Sequence, residues 1–270
     1  MIGGMRFVKG HGTENDFVIL PDPDGVLDLT PEAVARLCDR RAGIGADGVL
    51  RAVRTKATEF DADAEWFMDY RNADGGIAEM CGNGVRVFAR YLVDAGLAPP
   101  GEWDLATRAG LRRVTLGPSG DVSVEMGLPE LLGPGEASLA GASFAGERVS
   151  VGNPHLACRV TEPVAALDLS HAPDFDPAVF PAGVNVEFYR SVGERHVEMR
   201  VYERGSGETR SCGTGTVAVA AAAARGTADG AEWTVDVPGG RVTVVLDGET
   251  SFLRGPAVLV AEGETRPGWI

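Results

Sequence analysis

The chain has 270 residues, of which 44% are hydrophobic and 24% are charged, as in globular proteins of one large domain or two ordinary ones. Its net charge of −14 at pH 7 argues against a nucleic-acid partner, which would bind to a basic face. The first residues lack the apolar run of a signal peptide, and the longest apolar stretch, 217–224, is too short to span a bilayer. We therefore expect a cytoplasmic protein that binds neither nucleic acid nor membranes.

Few helices are predicted. Thr30 as the N-cap and Pro31 at the first helical position predict a helix that runs to about Asp39. Two more helices, each starting at a glycine that follows a cysteine, are predicted over 82–96 and 213–226. The last of these is apolar almost all round, so we expect it to be buried on most sides.

The rest of the chain is predicted to form short strands and hairpins. Residues 66–70 are rich in β-forming side chains, and residues 196–202 alternate almost strictly between polar and apolar. Pro-Ser-Gly at 118–120 and Pro-Gly-Gly at 238–240 are typical of hairpin turns. The pattern favours a mainly antiparallel α+β protein.

One pattern occurs twice along the chain. Segments 68–84 and 200–215 each read as a strand, a glycine turn, a Cys-Gly-x-Gly sequence and the start of a helix. Two copies are too few for a solenoid and instead fit two related domains that face each other. We place their boundary in the Gly- and Pro-rich stretch 127–135, which gives domains 1–127 and 128–255.

The repeated turns carry Cys81 and Cys212. A cysteine just before a helix lies where unpaired backbone N–H groups and the helix dipole favour a thiolate, so we expect lowered thiol pKa values at both positions. The same N–H groups can hold a carboxylate. Each turn therefore offers a base beside an anion-binding site.

Two such turns suit the transfer of a proton at the α-carbon of an amino acid. The N–H donors stabilise the negative charge that spreads onto the carboxylate, while one sulfur removes a proton and the other returns one. The alternative is that Cys81 and Cys212 are ordinary buried thiols, as we expect for Cys38 and Cys158. The four cysteines form no Cys-x-x-Cys pair, so the sequence suggests neither a zinc site nor a disulfide scaffold.

The chemistry just described needs no cofactor. Lysine occurs only at Lys9 and Lys56, and neither lies in a glycine-rich turn that opens a helix, as a pyridoxal-phosphate enzyme would require. We find neither a dinucleotide-binding fingerprint nor a Walker loop. We therefore expect no cofactor and no metal.

Several segments together resemble the diaminopimelate epimerases in an actinobacterial form, and the resemblance covers nearly the whole chain. They are 9–17, 43–48, 72–75, 80–84, 151–155, 183–185, 202–205 and 211–216. The resemblance implies two pseudo-symmetric domains, each a mainly antiparallel β-barrel wrapped round a central helix, with 256–270 returning to the first domain. It also implies a homodimer that converts LL-diaminopimelate to the meso form in lysine and peptidoglycan synthesis.

The resemblance also implies the roles of individual residues. Cys81 and Cys212 would be the acid and base, with His155 and Glu203 assisting. The residues that would bind the substrate, by side chain or by backbone N–H, are Asn15, Asn72, Gly82, Asn83, Asn153, Asn185, Glu203, Arg204, Gly213 and Thr214. Arg204 would recognise the distal carboxylate, since the planar guanidinium matches it in shape.

Two departures from the family pattern stand out. Gly12-Thr13-Glu14 replaces the usual Gly-Leu-Gly, and Gly48 stands where glutamine is common. We expect no substrate contact from position 48.

Other functions remain open. A proline racemase or hydroxyproline epimerase would have a histidine where Asn83 stands and would have no use for Arg204. A phenazine-type isomerase on the same fold would not need both cysteines. A non-catalytic amino-acid binding protein or a thiol redox sensor would not exchange an α-proton.

Overall fold

A computed structural model describes residues 4–225 and 231–269. The chain divides into two compact units: the first contains the residues up to 124 and those from 256 onward, and the second contains 125–255. The helices in the described ranges are α1 (Pro31–Cys38), α2 (Gly82–Asp94) and α3 (Gly213–Ala224), with 3₁₀ turns at Thr55–Ala57 and Val164–Ala166.

The described strands are β1 (Arg6–Gly12), β2 (Asn15–Pro21), β3 (Gly48–Arg54), β4 (Trp66–Asn72), β5 (Gly101–Thr107), β6 (Gly110–Leu116), β7 (Val122–Glu125), β8 (Glu130–Leu139), β9 (Ala142–Ser150), β10 (Pro154–Arg159), β11 (Asp174–Phe175), β12 (Asn185–Gly193), β13 (His196–Glu203), β14 (Gly207–Thr209), β15 (Ala231–Val237), β16 (Gly240–Leu246), β17 (Ser251–Gly255) and β18 (Val258–Glu264).

In the first unit the strands pair in the order β18, β1, β2, β3, β4, β5, β6, β7. The β2–β3 and β4–β5 pairs are parallel, and the other pairs are antiparallel. Helix α2 packs against β1, β2, β3, β4, β6 and β18, so the strands wrap round it. The apolar face of this helix fills the core of the unit.

The second unit repeats this arrangement. Its strands pair in the order β8, β9, β10, β12, β13, β15, β16, β17, with β10–β12 and β13–β15 parallel and the other pairs antiparallel. Helix α3 contacts seven of these strands, from β9 to β17. Strand β18, from the end of the chain, holds the place in the first unit that β8 holds in the second. The α+β class with a central helix in each unit is therefore confirmed.

The predicted helices are confirmed within one or two residues. The Thr30 hydroxyl accepts the Ala33 N–H at 3.2 Å and caps α1. Helix α2 ends at Asp94, two residues before the predicted end. Helix α3 is buried along almost its whole length, as predicted, and its predicted end at Gly226 lies outside the described residues.

Both predicted hairpins form. Residues 117–121 connect β6 to β7, and the turn at 238–239 connects β15 to β16. The Gly- and Pro-rich stretch 127–135 is irregular at its start and then enters β8. Within the described residues, every helix is too short or too polar to cross a membrane.

Candidate active site

Each unit places a cysteine at the N-cap of its central helix. Cys81 precedes α2 with φ −140° and ψ 116°, and Cys212 precedes α3 with φ −122° and ψ 117°. The first N–H groups of a helix have no acceptor within the helix, and the helix dipole adds positive charge there. Each turn therefore combines a thiol with a site suited to a carboxylate.

In the first unit, Cys81 is half-buried, and its sulfur contacts polar groups of its own helix turn and of Asn15. Its sulfur accepts the backbone N–H of Gly84 at 3.4 Å and lies 3.6 Å from Oδ1 of Asn15. The same Oδ1 accepts from Nδ2 of Asn83 at 3.2 Å. The amide oxygen of Asn15 is thus shared between the thiol and the helix turn.

The amide of Asn15 is held by an ion network. Its Nδ2 donates to Oδ2 of Asp47 at 2.7 Å, and Asp47 is paired with Arg40 at 2.6 Å. Arg40 also donates to both oxygens of Asp16. Although burial acts to raise it, hydrogen bonds from Arg40 and Lys9 lower the pKa of Asp16 to about 2, so this carboxyl group is ionised at neutral pH.

Arg86 is a functional candidate that the sequence analysis missed. Its side chain is 0% exposed, and Nη2 donates to Oδ1 of Asn83 at 2.6 Å and to the hydroxyl of Thr13 at 3.1 Å. Nη1 donates to the Pro256 carbonyl at 3.2 Å, so its hydrogen-bond partners are all neutral. Burial lowers the pKa of Arg86 to about 10, and the charge on Cys81 opposes that lowering. The buried cation therefore favours a thiolate at Cys81. The available signal was an arginine in the otherwise apolar run 85–89 of the predicted helix.

In the second unit, Cys212 is buried, with its sulfur 3.6 Å from the hydroxyl of Thr214. Burial raises the pKa of the Cys212 thiol well above its usual value, and the negative charge of Glu203 raises it further. The lowered pKa expected from the helix N-terminus is therefore wrong for Cys212. Burial and a nearby carboxylate outweigh the effect of the helix N-terminus on this thiol, and the Cys-Gly-x-Gly motif alone shows neither of them.

A chain of side chains leads inward from Thr214. Its hydroxyl accepts from Nδ2 of Asn153 at 3.3 Å, and Oδ1 of Asn153 lies 2.9 Å from Nε2 of His155. Nδ1 of His155 lies 2.7 Å from Oε1 of Glu187, and both of these side chains are fully buried. His155 thus contacts Asn153 and Glu187 rather than the sulfur. Glu187 was not among the predicted residues, although a lone acid in the apolar run 186–189 is a usable signal.

The remaining predicted residues of the second unit lie at the start of β12 and at or just after the end of β13. Glu203 accepts the hydroxyl of Thr209 at 2.5 Å. Oδ1 of Asn185 accepts the backbone N–H of Arg204 at 2.9 Å. The Arg204 side chain is exposed within its unit, and its Nη1 donates to the Ala182 carbonyl at 2.8 Å. The guanidinium is therefore already aligned by a backbone acceptor and has donors left for an anion.

The predicted residues occupy matching positions in the two units. On the parallel strand pairs, Phe17 is opposite Gly48 and His155 is opposite Asn185, so Asn15 and Asn153 are equivalent, each two residues earlier. Likewise Asn72 ends β4 and Glu203 ends β13. Asn72 is exposed at this end, where its backbone closes the turn to Gly76.

The two departures from the family pattern have structural explanations. Thr13 and Glu14 form the two-residue turn between β1 and β2, with φ 50° and 62°, a region that favours glycine. The Thr13 hydroxyl is a partner of Arg86. A Cβ on Gly48 would lie 2.6 Å from the Arg71 carbonyl and 2.8 Å from the ring of Tyr70, which fills the space that a longer side chain would need.

The other two cysteines are set apart from these turns. Cys38 is buried at the end of α1, and burial raises its pKa to about 11. Cys158 is buried in β10, and burial raises its pKa to about 12. Both are protonated at neutral pH, which is the setting of a structural cysteine.

Comparison with known sequences gives a consistent result. The family model for diaminopimelate epimerase matches residues 7–132 and 148–260. The chain is 61% identical to the diaminopimelate epimerase of Thermobifida fusca over 270 residues, covering 97% of this chain and 98% of that one. It is 53% identical to the enzyme of the same name from Mycolicibacterium smegmatis over 285 residues, covering 98% of each chain.

Solved structures with the same fold are more distant. A phenazine biosynthesis protein of the PhzF family from Bacillus anthracis matches with a TM-score of 0.71 and 18% identity, covering 98% of this chain and 99% of that one. A hydroxyproline epimerase from Agrobacterium vitis matches with a TM-score of 0.67 and 16% identity, covering 97% and 92%. At such identities the likeness establishes the fold alone.

Proposed function

The chain belongs to the diaminopimelate epimerase family, and from that premise we propose how its residues convert LL-2,6-diaminopimelate to the meso isomer. The observation that carries the proposal is the pair of cysteine-capped helices, α2 and α3, at the same place in two units with the same strand order. One thiol would face each side of the reacting α-carbon, with the two units acting as the two domains of the enzyme.

The reaction proposed is a direct proton exchange. In one direction Cys81, whose thiolate is favoured by buried Arg86, removes the α-proton, and Cys212 supplies a proton to the opposite face. The raised pKa of Cys212 fits a group that enters the reaction as a thiol. Backbone N–H groups of Gly82, Asn83, Gly213 and Thr214 hold the reacting carboxylate and stabilise the charge as it grows.

The distal head of the substrate needs its own recognition. We assign its carboxylate to Arg204 and its ammonium to acceptor oxygens. The side chains proposed to surround the substrate are Asn15, Asn72, Asn153, Asn185, Glu203 and Arg204. Glu203 is close enough to Cys212 to raise its pKa, which supports a role for Glu203 beside the reacting centre.

No cofactor is needed for these steps. Of the two lysines, Lys9 is engaged with Asp16 and with the Gly45 carbonyl, which leaves its amine poorly placed for a Schiff base. We further propose that the enzyme is a cytoplasmic homodimer that supplies lysine and peptidoglycan synthesis.

The test is turnover of purified protein on pure LL-diaminopimelate, followed by chromatographic separation of the isomers. We expect meso product, negligible racemisation of L-proline, and activity that persists after dialysis against a chelator and treatment with hydroxylamine. Arg204→Ala should raise KM for diaminopimelate about tenfold or more, because a charged hydrogen-bond partner is lost. Faster turnover of proline than of diaminopimelate would overturn the proposal.

A further inference from the structure

The carboxyl group of Glu187 lies behind the Cys212 turn without touching the sulfur. Glu187 is on β12 and His155 is on the parallel neighbour β10. Both side chains are 0% exposed, and Oε1 is 2.7 Å from Nδ1. The second carboxyl oxygen, Oε2, is buried with no hydrogen-bond partner. Such a group is costly to keep, so its presence calls for a reason beyond packing.

The first unit shows that the fold does not need this pair. By strand register, Phe17 and Leu50 hold the positions of His155 and Glu187. They lie behind the Cys81 turn in the same way: a Cβ on Gly84 would lie 3.3 Å from Leu50 and 3.5 Å from Phe17. Two apolar side chains therefore suffice to support this turn, and the acid and imidazole are a specific addition behind Cys212.

The orientation of the Asn153 amide indicates where the protons of this pair lie. Asn153 donates its NH₂ to Thr214 and so presents its oxygen to His155, which places a proton on Nε2. A neutral imidazole then accepts at Nδ1, and the proton between Nδ1 and Oε1 belongs to Glu187. The alternative is an imidazolium paired with a carboxylate. It would leave Oε2 of Glu187 charged and buried without a hydrogen-bond partner. Burial raises the pKa of Glu187 and Glu203 adds to this, while His155 opposes it.

We propose that Glu187 is a positioning residue that remains protonated and holds His155 as the neutral tautomer with its proton on Nε2. His155 then fixes the amide of Asn153, which orients the hydroxyl of Thr214 beside the Cys212 sulfur, 3.6 Å away. His155 is a hydrogen-bond donor in this arrangement and does not take the proton of the thiol. The consequence for catalysis rests on the proposed epimerase function, whereas the protonation state of the pair does not.

The first arm of the test is independent of activity. Nitrogen-15 NMR of protein with labelled histidine reports the proton on each ring nitrogen, and His155→Gln identifies its signals among the four histidines. We expect a neutral ring at pH 7 with a protonated Nε2 and an unprotonated Nδ1. An imidazolium signal from His155 would overturn the proposal even if diaminopimelate turnover is normal. If turnover is absent but the neutral tautomer is found, only the proposed function fails.

The second arm compares two substitutions of Glu187. Glu187→Leu copies the residue of the first unit and removes the donor, so His155 should populate both tautomers and kcat should fall about tenfold or more. Glu187→Gln keeps an N–H donor to Nδ1 and should recover most of that loss, together with the single tautomer. Equal losses of kcat in both folded variants, or full activity of Glu187→Leu, would contradict the proposal. If Glu187→Leu fails to fold, the tautomer of Glu187→Gln decides.

Discussion

Arg86 donates a 2.6 Å hydrogen bond to the side chain of Asn83, and both groups are buried at the N-terminus of the helix that Cys81 caps. The partners of Arg86 leave its charge unneutralised by any carboxylate within hydrogen-bonding distance. The guanidinium therefore supplies positive charge near the Cys81 turn, where it would stabilise a thiolate or a bound carboxylate.

Arg86→Met should raise the pKa of Cys81, because it removes the buried cation while keeping an apolar side chain of similar length. In a Cys212→Ala background, the pH at which iodoacetamide alkylates Cys81 at half its maximal rate should rise by about one pH unit. Arg86→Lys is the matched control, since it retains the charge. An unchanged alkylation profile in Arg86→Met would show that the cation does not act on the sulfur.

The two thiols should differ in reactivity in the unliganded enzyme. Cys81 is half-buried beside a cation, whereas Cys212 is buried and its pKa is raised. At pH 7, limiting iodoacetamide should modify Cys81 before Cys212, and should spare Cys38 and Cys158, as read by peptide mass spectrometry. Preferential labelling of Cys212 would refute this ranking.

The raised thiol pKa values also predict a loss of stability at high pH. A thiol whose pKa is higher in the folded state stabilises the fold fully below its unfolded pKa, and that stabilisation is lost as pH rises through the folded value. For Cys158 the folded value is about 12, so the free energy of unfolding should decline above the unfolded pKa of about 8.5. Cys158→Ala should show a shallower decline in urea titrations above pH 9. A slope equal to wild type would contradict this origin.

Glu14→Gly should stabilise the protein, because Glu14 has φ 62°, where a Cβ is strained. The gain should be about 1 kcal/mol relative to Glu14→Ala, which removes the same side-chain contacts but keeps the Cβ. Thermal unfolding of the two variants measures it directly. Equal melting temperatures would mean that the turn accommodates the Cβ without strain.

Alanine substitutions at Gly84 and Gly215, the second glycines of the two Cys-Gly-x-Gly turns, should differ in their effect on stability. A Cβ on Gly215 would lie 2.6 Å from Oε1 of Glu187, which is fixed by His155, whereas a Cβ on Gly84 would meet the flexible Leu50 at 3.3 Å. Gly215→Ala should therefore lower the melting temperature clearly more than Gly84→Ala. Adding Glu187→Ala should rescue only the Gly215 variant. Similar decreases in melting temperature for both variants would show that the Glu187 side chain moves aside readily for the added Cβ.

Most of the fold could be read from local patterns. Capping by Thr30 and Pro31 and the turn residues at 118–120 act within a few positions of the chain, so their outcome is encoded where they occur. The central position of α3 followed from its apolar surface. The two Cys-Gly-x-Gly sequences likewise identified both helix caps.

The residues that surround the two cysteines in the fold could not be predicted from local sequence patterns. Glu187 reaches the Cys212 turn from a strand 25 positions earlier. Burial by the packed strands, rather than the helix cap, sets the direction in which the pKa of the Cys212 thiol shifts. Arg86 is fully buried, and Thr13, Asn83 and Pro256 supply its acceptors. Both residues are polar exceptions in apolar segments, and only the tertiary structure identifies their partners.

Hydrogen exchange during turnover in deuterated water tests the two-cysteine mechanism most directly. With one base on each face, the proton delivered to the inverted carbon comes from solvent, while the abstracted proton stays on the other sulfur. Early in the reaction, mass spectrometry should find deuterium at the inverted carbon of the meso product and almost none in unreacted LL-diaminopimelate. Cys81→Ala and Cys212→Ala should each abolish inversion. Deuterium entering the LL pool as fast as the product, or inversion at near wild-type rate in either variant, would contradict the mechanism.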